Sequence, residues 1–390
     1  MDGKLIKSIG IVLGVFLLVI FLLVGVSSCG SGGKSSKKNK YTYEKLRDKM
    51  LEIAKKHYED NPKEMPAEDG DSKTYTLKKM INEEKISEVT TLFNNEDMKC
   101  DGSITVLNNN GYYAYIPYLK CSAGKNDKYE TVYLADKIKE DSLVTSSNGL
   151  YQENEEYIFR GKTVNNYFKF SNSKYKYRIL GINADGSIRL VSLKNVSGVI
   201  WDNRYNIEFL ARDGINDYFA NDFNSGLKDR LENEFKKSIL LTDETRAYIP
   251  SQTLCVGKRS KDDNTKDGST ECAQKLEGQV FGALTIYETF RISLDENCLV
   301  INDGACANYN WLYNSGINTW LLTASSDSSR EVYRYSSGRI EVVKASRTGS
   351  VYPVFNLTDK AIYKSGTGTE KDPYEIYIPE LEQTTTKKKK

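Results

Sequence analysis

The stretch CDGSITVLNNNGYYAYIPYLKC, residues 100–121, decides the fold of the first half of this 390-residue chain. Alternating residues over Ser103–Leu107 predict a strand, and Asn108–Gly111 then predicts a tight turn. The returning strand is expected over Tyr112–Lys120. Because Cys100 and Cys121 bracket this hairpin, we expect a disulfide between them.

A long helix is expected before the hairpin. Thr42 can cap a helix running from about Tyr43 to Asp60, where apolar residues recur at helical spacing. Asn61-Pro62 should end it, because the residue before a proline disfavours helix. The other elements predicted in this part are two short helices and one strand, at residues 76–81, 86–93 and 131–134.

The chain opens with an unbroken apolar segment, Ile9–Val26, behind Lys4 and Lys7. Two interpretations stay open: about 18 apolar residues can just span a bilayer core, and the run before Cys29 resembles the lipobox that directs acylation of that cysteine. We favour the acylated anchor. The residues after it indicate a flexible Gly/Ser/Lys tether at 30–41.

Lysines directly after the segment oppose export under the positive-inside rule, at Lys34, Lys37, Lys38 and Lys40. Signal processing within the predicted signal or anchor, residues 1–29, would resolve this conflict, because the n-region then governs export. We therefore predict an exported protein held at the outer face of the cell membrane.

A second unit with antiparallel strands is predicted over residues 148–379, followed by a disordered basic tail at 380–390. With the first unit at 42–147, the expected fold class is α+β. The strands are predicted at residues 167–170, 175–182, 187–192, 320–323, 331–335, 339–343 and 351–357. The helices are predicted at residues 216–221, 227–235 and 286–290.

Seven cysteines leave an even number once Cys29 is set aside as the anchor. Their spacing favours three local disulfides, Cys100–Cys121, Cys255–Cys272 and Cys298–Cys306, each around a polar stretch. Free thiols are the main alternative. A zinc site needs closer cysteine pairs than any of these.

Composition and motifs exclude several classes of function. The charges nearly balance, with 55 Lys+Arg against 53 Asp+Glu, so no broad nucleic-acid footprint is expected. The single histidine, His57, falls on the apolar side of the first predicted helix, and no hydrolase or zinc-protease motif occurs. We expect no catalytic residues, metal or cofactor.

An aromatic cluster near the end of the chain is the candidate ligand site. If its rings face solvent beside asparagine amides, they would bind a glycan or peptide, because rings stack on ligands and amides fix orientation. The alternative is that the tryptophans are core residues. The candidates are Asn310, Trp311, Tyr313, Trp320, Tyr333 and Tyr335.

The residues 100–121 also resemble the ectodomain of pilin-like surface proteins of Firmicutes and mollicute-related bacteria. The second unit is similar to a domain of unknown function related to C-type-lectin-like domains, although Tyr352 stands where arginine is usual in the closing motif. The motifs behind this second resemblance are Tyr177–Asn183, Trp201–Tyr205, Gly214–Tyr218, Trp320–Leu322, Val351–Leu357, Gly366–Thr369 and Asp372–Tyr374.

The resemblance implies a pilin-like head on a fixed anchor. A polymerising pilin carries a glutamate near the start of its apolar helix, whereas Ile9–Val26 has no acidic residue. The leading expectation is a non-enzymatic adhesin or ligand-binding protein. The alternatives are an accessory part of a surface or secretion machine and, less favoured, a cell-envelope enzyme.

Overall fold

The structure, a computed structural model, describes residues 41–379 apart from Asn126, Asn172, Asn221, Ile239, Leu240, Leu299, Asn302, Asp303, Asn314 and Ser337. The predicted anchor, Cys29, the tether up to residue 40 and the tail at 380–390 lie outside the described residues. Within the described part, no helix is both long and apolar enough to cross a membrane.

Five of the seven helices of the described residues begin at a side-chain cap. Thr42 Oγ1 accepts a hydrogen bond from Lys45 N at 3.3 Å and starts the first helix, and Asn61 ends it as predicted. The helices, labelled α1 to α7, are Tyr43–Asp60, Leu77–Asn82, Val89–Phe93, Leu134–Ser142, Gly226–Lys237, Asp243–Arg246 and Ile286–Arg291. Short 3-10 turns occupy Pro62–Glu64, Glu271–Ala273 and Gly304–Ala307.

The strands dominate the described chain, and nearly all of their pairings are antiparallel. Strands β1 to β11 are Ser72–Thr76, Lys99–Asn109, Tyr112–Ala123, Asp127–Glu130, Gly149–Glu153, Glu156–Arg160, Tyr167–Phe170, Tyr177–Ile182, Ile188–Ser192, Val196–Ile200 and Phe219–Ala220. Strands β12 to β22 are Phe223–Asn224, Gln252–Cys255, Lys258–Arg259, Lys275–Gln279, Asn318–Ser325, Glu331–Ser336, Arg339–Lys344, Thr348–Val351, Val354–Leu357, Tyr363–Ser365 and Tyr374–Ile376. The mixed fold with mostly antiparallel strands and few helices agrees with the predicted class.

The predicted hairpin forms the centre of a four-stranded sheet in the order β1-β2-β3-β4, against which α1 packs. Asn110 and Gly111 adopt positive φ angles of 56° and 82°, the geometry of a two-residue turn that matches strand twist. Cys100 and Cys121 are direct register partners, with Cα atoms 4.1 Å apart, so the sheet itself aligns this disulfide.

The rest of the chain builds an eight-stranded sheet and a second four-stranded sheet. One follows the order β20-β9-β8-β7-β22-β21, with the β5–β6 hairpin attached to β8, and the other follows β14-β16-β17-β18. Two parallel pairings interrupt the antiparallel pattern, β22 with β7 and β14 with β16. Smaller pairs join β10 to β19, β11 to β12 and β13 to β15.

Two tryptophans hold the second part of the chain together. Trp201 Nε1 donates to the Leu321 carbonyl at 3.0 Å, and Trp320 Nε1 donates to the Val199 carbonyl at 2.9 Å. Both rings are fully buried. These two hydrogen bonds satisfy both indole N–H groups inside the core and join β16 to the segment around β10.

The tip of the first hairpin docks onto the second part of the chain. Asn109 Nδ2 donates to the Ala247 carbonyl at 2.6 Å, and Ser251 Oγ donates to Asp69 Oδ2 at 2.6 Å. Leu107 and Ile116 belong to the same hydrophobic core as the second part. The described residues from Thr42 onward form one compact unit, so the boundary at 147/148 stays a prediction.

Several predicted elements were wrong. Residues 131–134 make only an isolated bridge at Tyr133 before α4 begins. The predicted helix over 216–221 is replaced by the short strand β11, because the buried amide of Asn216 bonds three carbonyls of another segment. The strand over 351–357 is broken, and β19 and β20 lie on either side of residues 352–353. Pro353 has no N–H to donate to a ladder.

Candidate functional site

The aromatic residues predicted to bind a ligand are mostly core residues. Trp311 donates its indole N–H to the Phe159 carbonyl at 2.9 Å, and Tyr333 donates its hydroxyl to the Arg259 carbonyl at 2.9 Å. Tyr313 is half-buried. The fully or nearly fully buried members are Asn310, Trp311, Trp320, Tyr333 and Tyr335. Because their surfaces are already used in packing, these five do not form the expected stacking surface.

Asn310 has a local structural role. Its side-chain carbonyl accepts hydrogen bonds from the N–H groups of Leu312 and Tyr313, and its amide donates to the Cys306 carbonyl at 2.9 Å. Each polar atom of this buried amide therefore has a partner within its own loop. Such an amide shapes the chain and has no free group for a ligand.

All three predicted disulfides are present. Their Cα–Cα distances are 4.1 Å for Cys100–Cys121, 4.3 Å for Cys255–Cys272 and 4.4 Å for Cys298–Cys306. Cys29, the predicted acylation site, lies outside the described residues. No cluster of residues able to hold a metal ion occurs in the described part of the chain.

The structure places a cleft elsewhere, between the first hairpin and the second part of the chain. The cavity has a volume of about 1000 Å³ and is lined by residues from both parts, including Leu107 and Asn109 of β2. The predicted turn Asn183–Gly186 forms one rim, between β8 and β9. The strands β13 and β15 and the start of α7 form the opposite wall.

A polar network shapes the wall of this cleft. Arg189 Nε donates to Glu288 Oε1 at 2.9 Å, and its Nη1 donates to Gln252 Oε1 and, at 3.4 Å, to Asn356 Oδ1. Glu288 is itself fixed by a capping box, because its Oε2 accepts from Thr285 N at 2.8 Å. Four distant segments thus hold their side chains in one arrangement, which is preorganised for binding.

A buried ion pair contacts residues that line the same cleft. Arg259 and Glu271 are both completely buried, and two of their N–O contacts measure 3.0 Å. Glu271 Oε1 also accepts from Tyr287 N at 3.2 Å. Because Tyr287 and the neighbouring Cys272 line the cleft, this pair fixes the position of the cleft wall.

A second cavity of about 1130 Å³ adjoins the first, and Glu156, Ala184 and Arg291 line both. Arg291 Nη2 lies 2.8 Å from Glu156 Oε2 and 3.0 Å from Glu153 Oε2. Burial alone would lower the pKa of Arg291, but its hydrogen bond to Glu156 and the two carboxylate charges outweigh that effect and raise it. The arginine is therefore a permanent cation where the cavities meet.

The two cavities together are acidic. Among the described residues, ten acidic and six basic side chains line them, a net charge of −4, whereas the whole chain carries +2. The acids with no cation within 4 Å, among the described residues, are Glu155, Asp185, Asp267, Glu277, Asp295 and Glu296. Hydrogen bonds from Ser269 lower the pKa of Asp267, and those from Asn308 and Asn297 lower the pKa of Asp295.

Sequence reasoning missed this site. The turn at Asn183–Gly186 was predicted, but no pattern marks Arg189, Gln252 or Glu288 as neighbours. The capping box Thr285–Glu288 was the one local signal available. His57, the predicted helix residue, makes a 2.9 Å contact with Glu64 and does not line either cavity.

Comparisons with protein-family models, with curated proteins and with solved structures find no match to this chain.

Proposed function

We propose that this protein is an exported, membrane-anchored and non-enzymatic surface protein that binds a ligand in the cleft around Arg189. The observation that carries the proposal is a preorganised cavity of about 1000 Å³ whose wall combines side chains from separate segments. Cavities of this size with a few convergent polar groups are the usual form of a ligand site.

The disulfides support the location outside the cytoplasm. Three bridges persist only in an oxidising compartment in most organisms, since the cytosol keeps thiols reduced. The predicted anchor at Ile9–Val26 and Cys29 would then hold the folded unit at the outer face of the membrane. The intact mass of the mature N-terminus distinguishes the two anchors, because the lipoprotein alternative combines cleavage of the Ser28–Cys29 bond with addition of lipid to Cys29.

The two resemblances remain part of this proposal. Helix α1 packs on the antiparallel hairpin, the arrangement expected of a pilin-like head. The second part combines antiparallel sheets with few helices, as the C-type-lectin-like resemblance implies. We place the ligand in the cleft and not on the aromatic cluster, since most of that cluster is buried.

The test blocks the cleft without disturbing the core. Ala184 is exposed on the turn between β8 and β9 and lines both cavities, so Ala184→Trp places an indole where the two cavities adjoin. Lys73→Trp, at an exposed position on the edge strand β1, adds the same ring elsewhere. The full chain in a non-ionic detergent is applied to arrays of oligosaccharides and peptides.

We expect the wild type and Lys73→Trp to bind the same array members, and Ala184→Trp to lose at least about tenfold in affinity, or about 1.4 kcal/mol. Absence of binding by the wild type would contradict the proposal. So would binding that Ala184→Trp leaves unchanged.

A further inference from the structure

We infer that the ligand of the cleft is a linear basic peptide that continues from the first cavity into the second. This inference rests on the proposed function and names its ligand class. The two cavities measure about 1000 and about 1130 Å³ and share Glu156, Ala184 and Arg291. Each alone reaches or exceeds the volume typical of a small-molecule site, so a groove of both suits an extended chain.

The net negative charge of the groove favours a cationic ligand. The Arg160–Glu153, Arg189–Glu288, Arg291–Glu156 and Lys360–Asp359 pairs neutralise much of the lining internally. The lining then holds six acids without a cation within 4 Å among the described residues, against two lysines, Lys266 and Lys275. A potential of one sign inside a concave site concentrates ligands of the opposite charge.

A buried acceptor on the groove wall points to a ligand with N–H donors. Asn109 is 1% exposed and lines the first cavity. Its Nδ2 donates to the Ala247 carbonyl, but its Oδ1 has no hydrogen-bond donor in the described structure. A buried acceptor left without a donor destabilises a protein, so a ligand N–H that reaches this oxygen through a local movement of the wall is favoured.

The amide groups of the wall favour a peptide over other linear cations. Asn183 and Asn356 line the first cavity, and side-chain amides match the alternating donors and acceptors of a peptide backbone. Acids then lie farther along the groove, with Glu155 and Glu296 exposed in the second cavity. The arrangement suits backbone contacts in one cavity and lysine or arginine side chains in the other.

The test uses the full chain in a non-ionic detergent and three labelled probes, with binding read by fluorescence anisotropy. The probes are a short peptide of alternating lysine and glycine, the matched glutamate–glycine peptide, and a neutral oligomer of N-acetylglucosamine. Measurements at ionic strengths of about 0.01 M and about 0.15 M shorten the Debye length from about 30 Å to about 8 Å. We expect only the lysine peptide to bind, and more weakly at the higher salt.

A variant with three groove glutamates neutralised is compared with the wild type. Glu155→Gln, Glu277→Gln and Glu296→Gln together remove three exposed groove charges without touching the core. The matched control neutralises three exposed acids outside the groove, Glu59, Glu88 and Glu96. We expect the groove variant to bind the lysine peptide about tenfold more weakly, and the control to bind within about twofold of the wild type.

Failure of the inference is distinct from failure of the proposed function. Binding of the neutral or glutamate probe as tight as that of the lysine peptide would overturn the basic-peptide assignment. Absence of lysine-peptide binding, or equal loss in the two triple variants, would also overturn it. If Ala184→Trp still abolished array binding in those cases, the cleft would remain the ligand site with a different ligand class.

Discussion

Replacing Glu271 by glutamine is expected to destabilise the folded unit strongly. Both members of the Arg259–Glu271 pair are completely buried, and the carboxylate accepts from Arg259 Nε and Nη2 at 3.0 Å each. Glutamine turns one of those acceptors into an N–H₂ group that faces the guanidinium. The variant keeps a buried cation without its full counter-charge, and breaking such a pair from one side costs about 3–5 kcal/mol.

The size of the described unit converts this free energy into a melting shift. At about 2.1 cal/mol/K per residue, an unfolding unit of about 340 residues has an unfolding entropy of about 0.7 kcal/mol/K. The expected decrease in Tm is therefore about 4–7 °C. Calorimetry on the oxidised full chain in detergent measures it, and urea unfolding gives the free energy separately.

Two further variants show whether the decrease in Tm comes from the unpaired buried charge or from the glutamine substitution itself. Glu277→Gln makes the same change at an exposed position on β15 and should shift Tm by less than about 1 °C. Replacing Arg259 and Glu271 together by methionine removes both charges, so the double variant should melt above Glu271→Gln. A Tm for Glu271→Gln equal to that of Glu277→Gln would refute the reasoning.

The remaining predictions concern the disulfides, a strand contact and a buried tyrosine. Alkylation without reductant should leave the six downstream cysteines unmodified in intact-mass spectra, and reduction should lower the stability, because each such bridge contributes about 2–4 kcal/mol. Gly181→Ala should weaken the β6–β8 pairing and lower the free energy of urea unfolding, since the new Cβ would overlap the Tyr157 carbonyl oxygen. The control Gly304→Ala places its Cβ in open space and should leave that free energy nearly unchanged. Burial raises the pKa of Tyr374 to about 12. The stability that its protonated hydroxyl contributes below pH 10 should therefore be lost as the pH rises towards 12. Urea unfolding at increasing pH should show a smaller loss of unfolding free energy for Tyr374→Phe than for the wild type.

The strand and turn patterns around the first hairpin were sufficient to predict its structure. A two-residue turn with Asn110 and Gly111 requires positive φ angles, and these residue types adopt them most easily. The register then follows, because a shift by one residue would turn the buried face to solvent. Helix α1 was predicted to its ends for a similar reason, since its cap and its terminating proline are local.

The aromatic cluster shows where the sequence pattern was insufficient. Composition indicated rings and amides close together, but whether a ring faces solvent depends on what packs against it. Trp320 is covered because Val199, far away in the chain, accepts its indole N–H. Burial is a property of the assembled sheets, and no spacing within residues 310–335 encodes it.

The chain by itself determined its hairpins, its first helix and its three disulfides. These depend on backbone preferences and loop lengths over a few residues, and a cysteine pair that brackets a tight turn meets when the turn closes. The cleft was decided only by the tertiary structure. Arg189, Gln252 and Glu288 come from segments up to 99 residues apart and meet because three sheets pack around one core. Such long-range contacts depend on the packing of every intervening element, so a local pattern in the sequence cannot specify them.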